Sequence, residues 1–196
     1  MTRTASPACS KFSVASVFLV AALLVALAPL LTSCGAGGVA SSGSPSPAAT
    51  SHYIARVTPL NGSGVSGAVM LQVSVMTLAV RIDVTGLTPN QRHFQHIHGA
   101  PDTPATCPTP ADTDQSGTIT LTEALLRIGP VAFDIQPYPL PDATGAVHWS
   151  QTFTMDPDEV RATTPWTQRV VVFHGMTSKG VYDRLLPAAC GPIQAA

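Results

Sequence analysis

From His52 onward, apolar and polar positions alternate in short runs separated by Gly- and Pro-rich breaks, the pattern of strands that bury one face. Tyr53, Ala55 and Val57 alternate with Ile54, Arg56 and Thr58, and Asn61-Gly62-Ser63-Gly64 is a turn. Val65 to Val75 and Thr77 to Val84 read as two further strands, with Val80, Ile82 and Val84 facing opposite to Arg81 and Asp83. Gly86 to Asn90 breaks the chain before a short segment around His96-Ile97-His98. Leu121 to Ile128 carries the best helical pattern and is stopped by Gly129-Pro130. Val131 to Ile135 predicts a strand, Pro137 to Gly145 a Pro-rich turn, and Ala146 to Thr154 another strand. Asp156-Pro157-Asp158-Glu159 predicts a short helix start, with acids at its positive end. Gln168 to His174 predicts a buried strand. Many short strands with little helix specify an all-β antiparallel sandwich or barrel with one or two short helices.

The first part of the chain does not share this pattern. Arg3 and Lys11 precede a nearly unbroken apolar run from Phe12 to Leu31, and Leu31-Thr32-Ser33-Cys34 resembles a bacterial lipobox. That resemblance implies a lipoprotein signal peptide over residues 1–33 and lipid on the Cys34 sulfur. An uncleaved helical anchor is the alternative, because the run is long enough to span a bilayer. Either reading puts the remainder outside the cytoplasm. Gly35 to Ser51 is Gly, Ala, Ser and Pro without charge, so residues 34–51 are expected to be a flexible tether and 52–196 the folded domain. The expected partner is therefore a membrane, reached through Cys34, and no feature identifies a protein partner.

Charged residues make up 11% of the 196 residues and the formal net charge is −1, which leaves no basic stripe for nucleic acid. There is no Gly-x-Ser-x-Gly and no Gly-rich phosphate loop. With Cys9 in the signal and Cys34 lipidated, Cys107 and Cys190 remain, and in an oxidising compartment they most simply form one disulfide.

Two patterns carry candidate chemistry. His96 and His98 flank Ile97, so on a strand both imidazoles share one face while Ile97 turns to the core, a frequent arrangement for transition-metal ligands. His174 ends a hydrophobic strand and is the candidate third ligand; His93 is out of register, and His52 and His148 read as structural or surface residues. Separately, Asp112, Asp114, Ser116, Thr118 and Glu123 fall at the spacing of a calcium loop, with Gly117 at its sharp turn. Calcium is the expected cofactor there.

His96-Ile97-His98-Gly99, the following Cys107, Val171-Val172-Phe173-His174 and Ala189-Cys190-Gly191-Pro192-Ile193 together resemble the Cu/Zn superoxide dismutase family. The resemblance implies a Greek-key β-sandwich, copper held by His96, His98 and His174, and Cys107–Cys190 as that family's disulfide. The chain departs from the family in having no histidine between His98 and His148, where bridging and zinc ligands belong. Pro187 stands where the active-site arginine is expected, leaving Arg184 as a substitute, and the segment between His174 and Cys190 is short. The sequence is also similar to bacterial secreted proteins of the CHRD type, which share His-Ile-His-Gly. The expectation is a lipid-anchored, metal-binding β-sandwich that acts as a binding or structural module. A copper-dependent superoxide dismutase-like enzyme with a reduced site is the alternative, and a copper-delivery protein a third.

Overall fold

The computed structural model describes residues 49–196 apart from position 115. The proposed signal segment 1–33, Cys34 and the tether up to residue 48 lie outside the described residues. Eight strands and two short α-helices follow: β1 (Ser51–Pro59), β2 (Ser66–Ser74), β3 (Thr77–Thr85), β4 (Gln95–His98), α1 (Leu121–Ile128), β5 (Val131–Asp134), β6 (Val147–Thr154), α2 (Pro157–Thr163), β7 (Val170–Ser178) and β8 (Val181–Ala195). Strand β1 begins at Ser51, one residue before the expected domain start, where Ser51 pairs with Val73 of β2.

All pairings are antiparallel, and the strands run in the order β5-β4-β7-β8-β1-β2-β3-β6. The fold is all-β. Connections β3–β4, β5–β6 and β6–β7 each pass from one half of this sheet to the other, a Greek-key path that folds the halves face to face. Strand β8 joins them, pairing with β7 along most of its length and with β1 near its end. At the opposite side β5 and β6 share no ladder. Phe133 of β5 meets Phe153 of β6 edge to face there, with ring centroids 5.3 Å apart, so side chains close what backbone leaves open.

The period-two pattern does what it predicts along β3, where Leu78, Val80, Ile82 and Val84 are buried and the residues between them are not. These residues join Ala55, Val57, Val69, Leu71, Ile97, Val171 and Phe173 in one core between the halves. A second, smaller core lies on the outer side of β7 and β8. Here Val170, Val172 and Cys190 meet Leu60, Ile119 and the buried face of α1, Ala124 and Ile128. Strand β7 is therefore buried on both faces, which explains its unbroken valines.

Helix α1 covers this outer face because its ends are well specified. Thr120 caps it, accepting from the Glu123 amide, and Gly129 terminates it at φ 73°. The Cys107–Cys190 disulfide, with Cα atoms 5.7 Å apart, fastens the loop before α1 to β8. That pairing agrees with the expectation from cysteine usage.

Strand β8 was not expected from the sequence. Its buried stretch from Leu186 to Gly191 lacks any alternation, since it faces a core on each side. Pro187 falls where the β7–β8 register shifts beside His174.

The disulfide closes a loop across 83 positions, so replacing Cys107 and Cys190 with Ser is expected to cost roughly 2–5 kcal/mol. Equilibrium urea unfolding of the reduced and oxidised protein measures the difference. A change below about 1 kcal/mol would show that the outer layer is held by its apolar contacts alone.

Candidate metal centre

The site forms where β4 and β7 lie side by side. Cross-strand partners share a face, and His96 pairs with Val172 while His98 pairs with Val170. Ile97 is completely buried in the main core, so both imidazoles emerge on the outer side, as alternation requires. His174 belongs to the same face by parity with Val170 and Val172. Its partner β8 bulges, with His174 opposite Pro187 and Met176 opposite Asp183. The result is three histidines, each offering a ring nitrogen, with those atoms within 4.8 Å of one another. Ring centroids are 5.3–5.6 Å apart.

Backbone carbonyls set the tautomers of the inner pair. A carbonyl can only accept, so His98 Nδ1–H donates to Gly129 O at 3.0 Å and His174 Nδ1–H donates to Leu185 O at 3.2 Å. The first carbonyl is presented by the residue that ends α1, the second by the bulged part of β8. Each Nε2 is therefore left with a bare lone pair, and these two atoms face each other at 3.4 Å. His98 and His174 are 1% and 3% exposed, and burial pushes their pKa values down to about 4 and about 3. Neutral imidazoles in this arrangement repel through their lone pairs. A shared cation removes the repulsion.

His96 is the outer member, half-buried at the rim. Its Nδ1 is buried and has no hydrogen-bond partner among the described residues. Its Nε2 lies 3.4 Å from both Asp134 Oδ1 and the Tyr138 hydroxyl. Tyr138 in turn donates to Asp134 Oδ1 at 2.6 Å, and burial followed by the Asp134 hydrogen bond raises its pKa. Desolvation lowers the His96 pKa despite the nearby Asp134 carboxylate. An orphaned buried nitrogen beside two facing acceptors is a donor set that fits one metal ion. Anchoring the opposite ring nitrogen to a carbonyl or carboxylate is how ligand histidines are usually oriented.

The end of β4 is held rigidly. Gly99 has φ 145°, and a Cβ there would stand 2.4 Å from Cδ of Arg169. Arg169 is fully buried and donates to the carbonyls of Ala162, Thr164 and Gln168, so it cannot easily move aside.

Other expected residues lie elsewhere. His93 is buried but turns away, with Nε2 3.1 Å from Thr88 O and its ring edge-on to Tyr182. His148 is exposed beside Asp83, with Nδ1 2.9 Å from Oδ1. Arg184 does not reach the histidines: its guanidinium carbon sits 5.8 Å from the centroid of Phe94, whose ring stacks on His96 at 6.1 Å.

In the acidic loop the expected calcium ligands are engaged in local hydrogen bonds. Among the described residues, Asp112, Asp114 and Glu123 do not bring their carboxylates together in one cluster. Asp112 accepts from Thr109 N at 2.8 Å and pairs with Arg127 at 2.6 Å. Glu123 accepts from Thr120 N and Oγ1 and from Asp114 N, each at 2.7 Å. Asp114 Oδ1 takes the Ser116 amide at 2.7 Å, and Ser116 Oγ donates to the Thr118 carbonyl at 3.3 Å. The carboxylates assigned to calcium thus satisfy backbone donors at the start of α1 and in the loop before it, together with one arginine. Hydrogen bonds hold all three carboxyls below their usual pKa range.

Sequence reading missed Asp134, Tyr138 and the carbonyls of Gly129 and Leu185. Asp134 could have been suspected as the lone acid in an apolar strand. Its position opposite His96 depends on the β4–β5 register, which no local pattern reveals.

No family model matches the chain, and no curated protein matches it. Among solved structures, superoxide dismutase 5 of Candida albicans with Cu(II) aligns at a TM-score of 0.48 and 12% identity, covering 76% of this chain and 94% of that one. A mutant of the same enzyme aligns at 0.47 and 12% identity, covering 75% and 90%. The chemistry of the site rests on this chain's own side chains.

The depressed pKa values make a prediction for the metal-free protein. An unfolded imidazole titrates near 6.5, so the stability due to neutral His98 and His174 is full above that pH and is lost as pH falls toward 4 and 3. Histidine NMR titration should find both rings still neutral at pH 5. Protonation of both near pH 6.5 would show that the cluster opens to water.

Proposed function

We propose that this chain is an extracytoplasmic metal-binding β-domain in which His96, His98 and His174 hold one transition-metal ion, with copper as its resident. The observation that carries this reading is the pair of bare Nε2 atoms facing each other in a nearly dry site. Neutral imidazole suits copper, zinc, nickel and iron, and the divalent affinity order places copper highest. His96 would contribute Nδ1, the nitrogen without another partner. Copper would supply one-electron redox chemistry at that position. The disulfide supports an oxidising compartment.

The domain is read as a binding module. A second reading, turnover of a small anion in the manner of a superoxide dismutase, is favoured by Arg184 alone. Its guanidinium is one aromatic ring from His96 and forms no ion pair among the described residues.

Equal amounts of Cu(II) and Zn(II) offered to the purified metal-free protein should yield one copper per chain by mass spectrometry of the native protein. His98→Ala and His174→Ala should each lower copper affinity by at least tenfold. Retention of copper by both variants would refute the site. A superoxide assay on the copper form separates the two readings, since turnover abolished by His98→Ala requires the second.

For the acidic loop we propose a capping role in place of calcium. Its support is the commitment of Asp112 and Glu123 to Arg127, Thr109 and Thr120. Millimolar calcium should give no heat by calorimetry, whereas Thr120→Ala should cost about 1 kcal/mol through loss of the α1 cap. A saturable calcium isotherm would restore the cation. We further propose lipid on Cys34, supported by the apolar run and the small residues before it; the wild-type protein should sediment with membranes and the Cys34→Ala protein should accumulate as precursor.

A further inference from the structure

Beyond the metal centre, the surface next to β4 carries a pocket with its own chemistry. Its volume is about 560 Å³, within the range of small-molecule sites, and Arg92, Phe94, Leu140, Tyr182 and Arg184 are among the residues that line it. The two arginines come from different parts of the chain, Arg92 from the turn before β4 and Arg184 from the bulged part of β8. The Tyr182 hydroxyl donates to the Arg92 carbonyl at 2.5 Å and ties those two segments together. Arg184 lies over the Phe94 ring, with its guanidinium carbon 5.8 Å from the centroid. Leu140 is 55% exposed and leaves an apolar surface uncovered opposite.

The charge balance of the pocket is one-sided. Neither arginine forms an ion pair among the described residues, whereas Arg81, Arg127 and Arg161 each do. Among the described residues, no carboxylate lines the pocket. The nearest acid in sequence, Asp183, turns Oδ1 to the Leu185 amide at 2.9 Å. Ten guanidinium N–H donors, about five from each arginine, therefore lack a protein carboxylate at a site walled by two aromatic rings and a leucine.

We infer that this pocket binds small aromatic carboxylates, the arginines taking the carboxylate and Phe94, Tyr182 and Leu140 taking the ring. A guanidinium matches a carboxylate with two parallel donors, and a flat apolar body fits between aromatic and aliphatic walls. Inorganic anions use only the first of these features. The inference does not rest on the metal reading, because none of these five residues is a proposed ligand.

The test is calorimetric titration of benzoate into metal-free protein at 150 mM salt, so that failure to hold copper and failure to hold benzoate are scored separately. Benzoate should saturate one site, with acetate and inorganic phosphate binding at least tenfold more weakly. Arg92→Gln and Arg184→Gln should each weaken benzoate about tenfold, the effect of losing a hydrogen-bonded charge at a partly exposed site. Both arginines are exposed, so melting temperatures should stay near wild type. Leu140→Ala should narrow the gap between benzoate and acetate. The inference fails if benzoate does not saturate, if neither arginine substitution changes its affinity, or if acetate or phosphate binds as well.

Discussion

The histidine cluster depends on a roof over the outer face of β4, β7 and β8. A sheet face left open to water would give three hydrated imidazoles with ordinary pKa values and freely chosen tautomers. Instead, a disulfide pins the preceding loop to Cys190, and α1 lays Ala124 and Ile128 against Val170 and Val172. The same helix ends at Gly129, whose carbonyl orients His98. Packing and tautomer selection are consequences of one arrangement. Damage to the roof should therefore alter the histidine cluster without touching a histidine.

Within that enclosure the three rings are not equivalent. His98 and His174 are clamped by backbone carbonyls and dehydrated, so their facing nitrogens have little freedom to avoid each other. His96 sits toward the rim, where Asp134, Tyr138 and Phe94 surround it. The inner pair supplies rigidity. His96 is the ring through which solvent and Asp134 reach the cluster. The arginine-lined pocket begins on the far side of Phe94, which makes that ring the boundary between the two sites.

Much of the framework was legible because local rules and tertiary structure agreed. Alternation located β1, β2, β3 and β6, and α1 coincides with Leu121–Ile128, bounded by a Thr cap and a Gly stop. Parity alone put Ile97 in the core and both neighbours outside it. Strand β8 was illegible for a physical reason: Leu186 to Gly191 is buried on both faces, and Pro187 occupies a bulge, so neither alternation nor composition marks a strand. The acidic loop was ambiguous because Glu123 belongs to two local patterns at once. It closes a calcium-type spacing, and it is also the acid of a Thr120-x-x-Glu123 capping box. In the structure Glu123 makes the contacts of the second, accepting from Thr120 N and from Asp114 N. Asp134 and the Leu185 carbonyl depended on strand register and a bulge, which arise only once the sheet has formed.

The proposed ion sits between His96, His98 and His174. Anomalous diffraction at the copper edge, from crystals of copper-loaded protein, tests it most directly. A single peak is expected about 2.0 Å from Nδ1 of His96 and from Nε2 of His98 and His174, with the carbonyls of Gly129 and Leu185 still bound to the opposite ring nitrogens of His98 and His174. A peak elsewhere on the surface, or an empty cluster with the inner pair rotated away from the carbonyls, would contradict it.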